Sequence, residues 1–212
     1  MFFLLSSETK FLEYAFDILN HVYFNSELPK VVITIQSSPK TYGHITTQKI
    51  WNGLENNYYE INLSAENLNR PPENVLATLV HEMVHLYCME NNIADTSKNG
   101  RYHNKHFKEQ AEKRDLHIEY RQYIGYSHTE PTDLFIATLE KHNLMHNISF
   151  ERGGFTFQPP TGGNDNGGVN GKPKSSTRKY KCPNCGISVR ATKTVELICK
   201  NCMQDMICLT KY

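Results

Sequence analysis

The chain has 212 residues, 39% hydrophobic and 21% charged, the balance of a water-soluble globular protein with room for one good core and a small appendage. Its apolar opening, Met1-Phe2-Phe3-Leu4-Leu5, is shorter than a signal-peptide core, and no run is long enough to span a bilayer. The composition therefore sets aside membrane insertion and gives an intracellular expectation: cytoplasmic or nucleoid-associated, or nuclear in a eukaryote. The net charge of +1 hides an asymmetry: residues 1–171 carry 14 Lys/Arg against 20 Asp/Glu, and residues 172–212 carry 9 against 2. A basic tail on an acidic body is the pattern of a tail that meets a polyanion.

Ser6 or Ser7 can cap a first helix running to Asn25, with Phe11, Ala15, Ile18 and Val22 at helical spacing; Leu28-Pro29 ends it. Val31 to Ile35 is a β-branched strand, Gly43 to Trp51 a second strand, Asn52-Gly53 a turn, and Tyr58 to Leu63 a third strand. Three strands ahead of a long helix predict an α+β fold, a small twisted sheet packed on helices.

Pro71-Pro72-Glu73 opens the next helix, Asn74 to Glu90, which contains Leu79-Val80-His81-Glu82-Met83-Val84-His85. Residues four apart share a helix face, so His81 and His85 can aim their imidazoles at one metal ion. Glu82 lies one step round, within reach of a water beside the metal but not bound to it. Two His ligands and a carboxylate general base are the parts of a zinc hydrolase. The flanks Val75, Leu76, Leu79, Val80, Val84, Leu86 and Tyr87 make the helix largely apolar, and a metal explains two histidines and a glutamate in such surroundings. Cys88, on the same helix, is a small buried hydrophobe.

A catalytic zinc takes a third protein ligand and leaves one position open. The downstream candidates are His103, His106, Glu109, Glu112 and His117; a third His six residues after the second would fall at Asn91, which excludes the metzincin pattern. His103 to Leu116 reads as a helix with Phe107 and Ala111 inward. Tyr120 to Tyr126 is a short element. Thr129-Glu130-Pro131 opens a helix to His142, and Ile148 to Phe157 alternates weakly as a terminal strand. Gln158 to residue 178, rich in Pro, Gly and Ser, is a flexible linker between a first domain, 1–157, and a last one, 179–212.

The last domain carries Cys182-x-x-Cys185 and Cys199-x-x-Cys202, two knuckles separated by a stretch suited to a hairpin of Ile187–Ala191 and Val195–Ile198. Four thiolates with this spacing predict a closed, structural zinc site that supplies the folding energy so small a domain lacks. Arg178, Lys179, Lys181, Arg190, Lys193 and Lys200 surround the knuckles, with Tyr180 among them. Cations suit phosphate contacts, and an aromatic ring can stack on a base, so this ribbon is the expected nucleic-acid contact.

Residues 8–120 resemble the SprT-like (Spartan-like) metalloprotease domain. The resemblance is carried by Leu28-Pro29, Tyr59-Glu60-Ile61-Asn62-Leu63-Ser64, Leu79 to His85, and Gly100-Arg101-Tyr102-His103-Asn104-Lys105-His106-Phe107. It implies a zincin-like fold with His103 as third ligand. The family usually has Gly where this chain has Asn104; Asn is the residue other than Gly most tolerant of a left-handed backbone. Related proteins also end in a four-Cys ribbon. The resemblance further implies two zinc ions, one catalytic and one structural, protein substrates on DNA or crosslinked to it, and cleavage switched on by DNA. Tyr102 is a candidate oxyanion donor. The competing reading is a non-catalytic, zinc-stabilised nucleic-acid-binding or regulatory protein, against which the intact Glu82 argues. The oligomeric state is left open.

Overall fold

A computed structural model describes residues 5–98, 100–148, 150–153 and 177–209. Contacts divide the chain into two units, residues 1–156 and 157–212. Of the expected linker, only residues 177 and 178 are among those described.

The first unit is mixed α and β. Helix α1 (Leu5–Phe24) buries Leu12, Ala15, Phe16 and Leu19 on one face. It stops where Asn25 and Ser26 turn left-handed (φ 52° and 61°), and the buried Asn20 amide clamps the exit by bonding both backbone groups of Leu28. Strand β1 (Val31–Gln36) runs parallel to β4 (Asn57–Ser64), and β2 (Gly43–Ile45) lies antiparallel on the other side of β4, forming a sheet edge. The expected single strand from Gly43 to Trp51 is interrupted. Thr46 uses its hydroxyl as well as its backbone to pair with Glu60, and the chain then turns away before β3 (Trp51–Asn52) returns to β4. Strand β4 is buried on both faces. Ile61 and Leu63 enter the core, whereas Glu60, Asn62 and Ser64 lie on the opposite face and bond to the neighbouring loops and to β1.

Helix α2 (Pro72–Glu90) is the centre of this unit. Val75, Leu76, Leu79, Val80, Met83, Val84, Leu86 and Cys88 are all buried, so it packs against α1, the first sheet, and a second sheet at once. That second sheet has the order β5 (Thr96–Ser97), β6 (Tyr102–His103), β8 (Gly125–Pro131), β7 (Leu116–Arg121). It revises three expectations. His103 does not start a helix; it is the last residue of β6, and α3 is shorter, Lys105–Glu112. Residues 116–131 form a β7–β8 hairpin where only a short element was expected, and Pro131 closes β8. Helix α4 (Asp133–Lys141) opens after Thr132, whose hydroxyl accepts from the Phe135 N–H. Gly125 is required: at φ +72°, a Cβ there would sit 2.1 Å from the His103 carbonyl oxygen, closing off the β6–β8 contact. Residues 150–153 are not in a strand, and residues 154–157 of the expected terminal strand lie outside the described residues.

In the second unit, β9 (Arg178–Lys181) pairs with β10 (Ser188–Ala191) and β13 (Ile207–Cys208), and β11 (Ile198–Cys199) pairs with β12 (Gln204–Asp205). The expected hairpin between the knuckles is replaced by two hairpins, because each knuckle is itself the reversal. Gly186, at φ +76°, donates to the Cys182 carbonyl and sends β10 back along β9; Met203 donates to the Cys199 carbonyl and does the same for β12. Among the described residues, no helix is long and apolar enough to cross a membrane.

Candidate metal centre

Helical spacing brings His81 and His85 to one side of α2, and β6 brings His103 opposite them. The three Nε2 atoms form a triangle with edges of 3.0, 3.2 and 3.3 Å. A tetrahedral site with zinc–nitrogen bonds of roughly 2.0–2.1 Å has edges of about 3.3 Å. The far nitrogens fix the rings. His85 Nδ1 lies 2.6 Å from Asp95 Oδ2, so its proton faces the carboxylate and its Nε2 carries the lone pair. His81 Nδ1 lies 2.7 Å from the Thr129 hydroxyl of β8. Burial, reinforced by the neighbouring imidazoles, holds the His81 pKa well below its ordinary value. Burial, then the His85 ring, lowers His103 to about 4. Three imidazole nitrogens converging on one point fit a cation, and the donor set fits zinc. Phe107 of α3 closes the apolar side, its ring 4.5–4.7 Å from all three imidazoles.

Glu82 is 5% exposed, and burial raises its pKa to about 7, opposed by the His85 ring and by the Ile45 backbone N–H. Tyr42 and Thr46 spend their backbone groups on β4, so in the alternation of an antiparallel edge those of Gly43 and Ile45 face away from it. Gly43 leaves room for the carboxylate: a Cβ there would lie 3.3 Å from Glu82 Oε1, 3.0 Å from Thr78 Cγ2 and 3.1 Å from the Asn62 carbonyl. A cleft of about 320 Å³ runs along β2 and α2 to the histidines, lined by Thr41, Gly43, Ile45, Glu82, Met89 and Thr96 among others. Tyr102 does not line it; its hydroxyl is engaged with Tyr120.

The other third-ligand candidates lie elsewhere. His106 is exposed, Glu109 pairs with Lys113 at 2.8 Å, and Glu112 pairs with Lys108 at 3.4 Å. His117 belongs to an exposed group with Glu119 and Glu130, whose carboxylates already face Arg121 and His128. Asn104 is not left-handed. It is extended (φ −95°, ψ −172°) and caps α3, accepting from the His106 and Phe107 N–H groups, while its amide donates to the Ala94 carbonyl at 2.6 Å. Sequence reasoning missed Asp95, Thr129 and Gly43. Asp95 lies in the connection after α2, where the sequence offers no periodic pattern to single it out, and Thr129 reaches His81 through a strand register with no local signature.

In the second unit, the donor sulfurs of Cys182, Cys185, Cys199 and Cys202 all lie within 4.8 Å of one another. Their crowding splits the thiols: Cys182 falls to about 6, with the Cys185 N–H its largest cause, and Cys202 rises to about 12 through its hydrogen bond with Cys185. Four sulfurs this close fit a structural metal that would displace their protons. Lys179 and Arg190 are cross-strand partners, Lys181 faces Ser188, and Arg178 donates to the Thr192 carbonyl. Lys193 and Lys200 are exposed. Tyr180 corrects an expectation: it is 3% exposed and accepts from the Val195 N–H, so no base can stack on it.

Comparison with curated proteins and with solved structures gave no match. The profile of the SprT-like family matches residues 12–124, a span that holds α2, the three converging histidines and Glu82. More than half of the chain is covered by that match, and the protein belongs to the SprT-like family.

Proposed function

We propose that the protein is a zinc-dependent endopeptidase with a zincin-like first domain that acts on DNA-associated or DNA-crosslinked proteins. The single observation that carries the peptidase reading is the triangle of Nε2 atoms beside the buried carboxylate of Glu82. His81, His85 and His103 would hold the zinc, which when bound supplies a Lewis acid toward a carbonyl oxygen and toward water. Glu82 takes the proton of the attacking water and delivers it to the amine nitrogen as the peptide bond breaks. Asp95 and Thr129 keep the rings of His85 and His81 in register. The outward backbone groups of β2, apart from the Ile45 N–H that Glu82 takes, offer an extended substrate an added strand along the cleft. A second, four-Cys zinc would hold the ribbon, and Arg178, Lys179, Lys181, Arg190, Lys193 and Lys200 support contact with DNA through phosphates. Bringing enzyme and DNA-bound protein onto one strand raises their effective concentration.

The test is cleavage of a DNA-binding protein with and without single-stranded DNA, alongside the Glu82→Gln protein. DNA-dependent cleavage that disappears with Glu82→Gln supports the reading. No cleavage by either protein, with zinc shown to be bound, favours a non-catalytic nucleic-acid-binding protein.

A further inference from the structure

The β7–β8 hairpin turns two histidines and two glutamates to its outer face. His117 is the cross-strand partner of Glu130, and Glu119 is that of His128, so the four side chains share one face of an antiparallel pair. Like groups sit on the diagonals. His117, Glu119 and Glu130 bring one ligand atom each to within 4.8 Å of one another. His117 Nε2 lies 3.9 Å from Glu119 Oε1, and His128 Nε2 lies 3.2 Å from Glu130 Oε1. Arg121 donates to Glu119 Oε2 at 2.9 Å, which leaves Oε1 turned toward His117. The residues between them face the other way: Ile118 is buried in the core, and the Thr129 hydroxyl meets His81. The outer cluster therefore stands back to back with the histidine triangle and shares no ligand with it.

We propose that His117, Glu119, His128 and Glu130 form a further site for a divalent transition metal. Imidazole beside carboxylate selects zinc, nickel or copper, whereas magnesium and calcium take oxygen ligands. Zinc bonds of roughly 2.0–2.2 Å set ligand atoms about 3.3–3.6 Å apart. Small side-chain rotations close the cluster to that spacing, and side chains 38–54% exposed have room to make them. The paired strands fix the backbone in advance, so only side-chain freedom is lost on binding. Arg121 steers Glu119 from behind, as Asp95 steers His85. Open to solvent, the site binds more weakly than the triangle or the four-Cys cluster and fills after them. None of this depends on peptidase activity.

The experiment starts from the full chain loaded with zinc, with the excess dialysed away. Isothermal titration with nickel chloride should show one further ion per chain, and magnesium chloride none. His117→Ala and His128→Ala should each weaken the nickel event at least tenfold, and Arg121→Ala should weaken it less. Nickel should raise the melting temperature of the parent and leave that of the two histidine variants where it was. In the parent, the paramagnetic ion should broaden the backbone amide resonances of residues 117–119 and 128–130 first. This mapping needs no variant to fold. Broadening centred on residues 81–85 and 103 would overturn the inference, since the ion would then sit in the triangle. So would unchanged nickel affinity in both histidine variants, or no event up to millimolar nickel.

Discussion

Nδ1 of His85 and Oδ2 of Asp95 stand 2.6 Å apart, with only 13% and 11% of their side chains exposed. The carboxylate holds the imidazole in one tautomer and strengthens its other nitrogen as a donor. Asp95→Ala should weaken zinc at the histidine site about 10- to 100-fold. Competition with a chromogenic chelator measures it. One zinc should be stripped early, while the zinc of the cysteine cluster leaves at the same chelator concentration as in the unaltered protein.

Asn104 joins the third histidine to α3 by capping that helix and bonding back to Ala94. Asn104→Ala should cost about 1 kcal/mol in chemical denaturation, whereas Asn104→Gly, which leaves the helix start exposed to water, should cost only a few tenths from the cap. Equal losses in the two variants would show that the bond to Ala94 matters more than the cap.

Gly43 makes room for Glu82. In Gly43→Ala the new methyl meets Thr78 Cγ2, the Asn62 carbonyl and Glu82 Oε1 at 3.0–3.3 Å. The carboxylate is the neighbour most able to give way. With Glu82 as the proposed base, activity should fall about tenfold or more, since small displacements of such a group are costly, while overpacking lowers stability by only about 1 kcal/mol. Paired kcat and melting measurements separate the two effects. A large loss of stability with unchanged kcat would contradict this account.

Glu66 holds the loop leading into β2. Its carboxylate accepts from the Ser37 hydroxyl, the Ser38 N–H at 2.9 Å and the Ser64 hydroxyl at 3.1 Å, which lowers its pKa from 4.5 to about 2, the Ser37 bond being the largest cause. A carboxylate with a lowered folded-state pKa contributes stability above its unfolded value and loses it as pH falls through the folded value. Glu66→Gln should therefore melt lower than the parent above pH 4.5, and the gap should close between pH 4.5 and 2. Comparing the two proteins at each pH cancels the protonation of the metal ligands, which both share.

What could be read from the sequence was what is local. The four-residue spacing of His81 and His85 needs only a helix, and the apolar run around them needs only burial. The two Cys-x-x-Cys knuckles likewise carry their own geometry. The rest depended on pairing at a distance. Nothing in Leu116 to Pro131 shows, without its register, that Thr129 lands on His81. Asn104 was visible as a departure from glycine, but its backbone was misjudged, because the deciding interaction is its cap on the next helix. Tyr180 sat among lysines in the sequence, yet the β9–β10–β13 sheet turns it inward and leaves the lysines out.

The segment between His85 and His103 is braced at several points. Asp95 reaches back to His85, its carbonyl accepts from the Asn104 N–H, Ala94 accepts from the Asn104 amide, and Thr96 pairs with His103. Most surface connections lengthen or shorten freely over evolutionary time. The two braced arms of this segment, residues 94–97 and 102–104, are not at liberty to drift, since a single inserted or deleted residue in either would slip the brace and carry His103 off the triangle, so natural variation in chain length should be confined to the turn at 98–101.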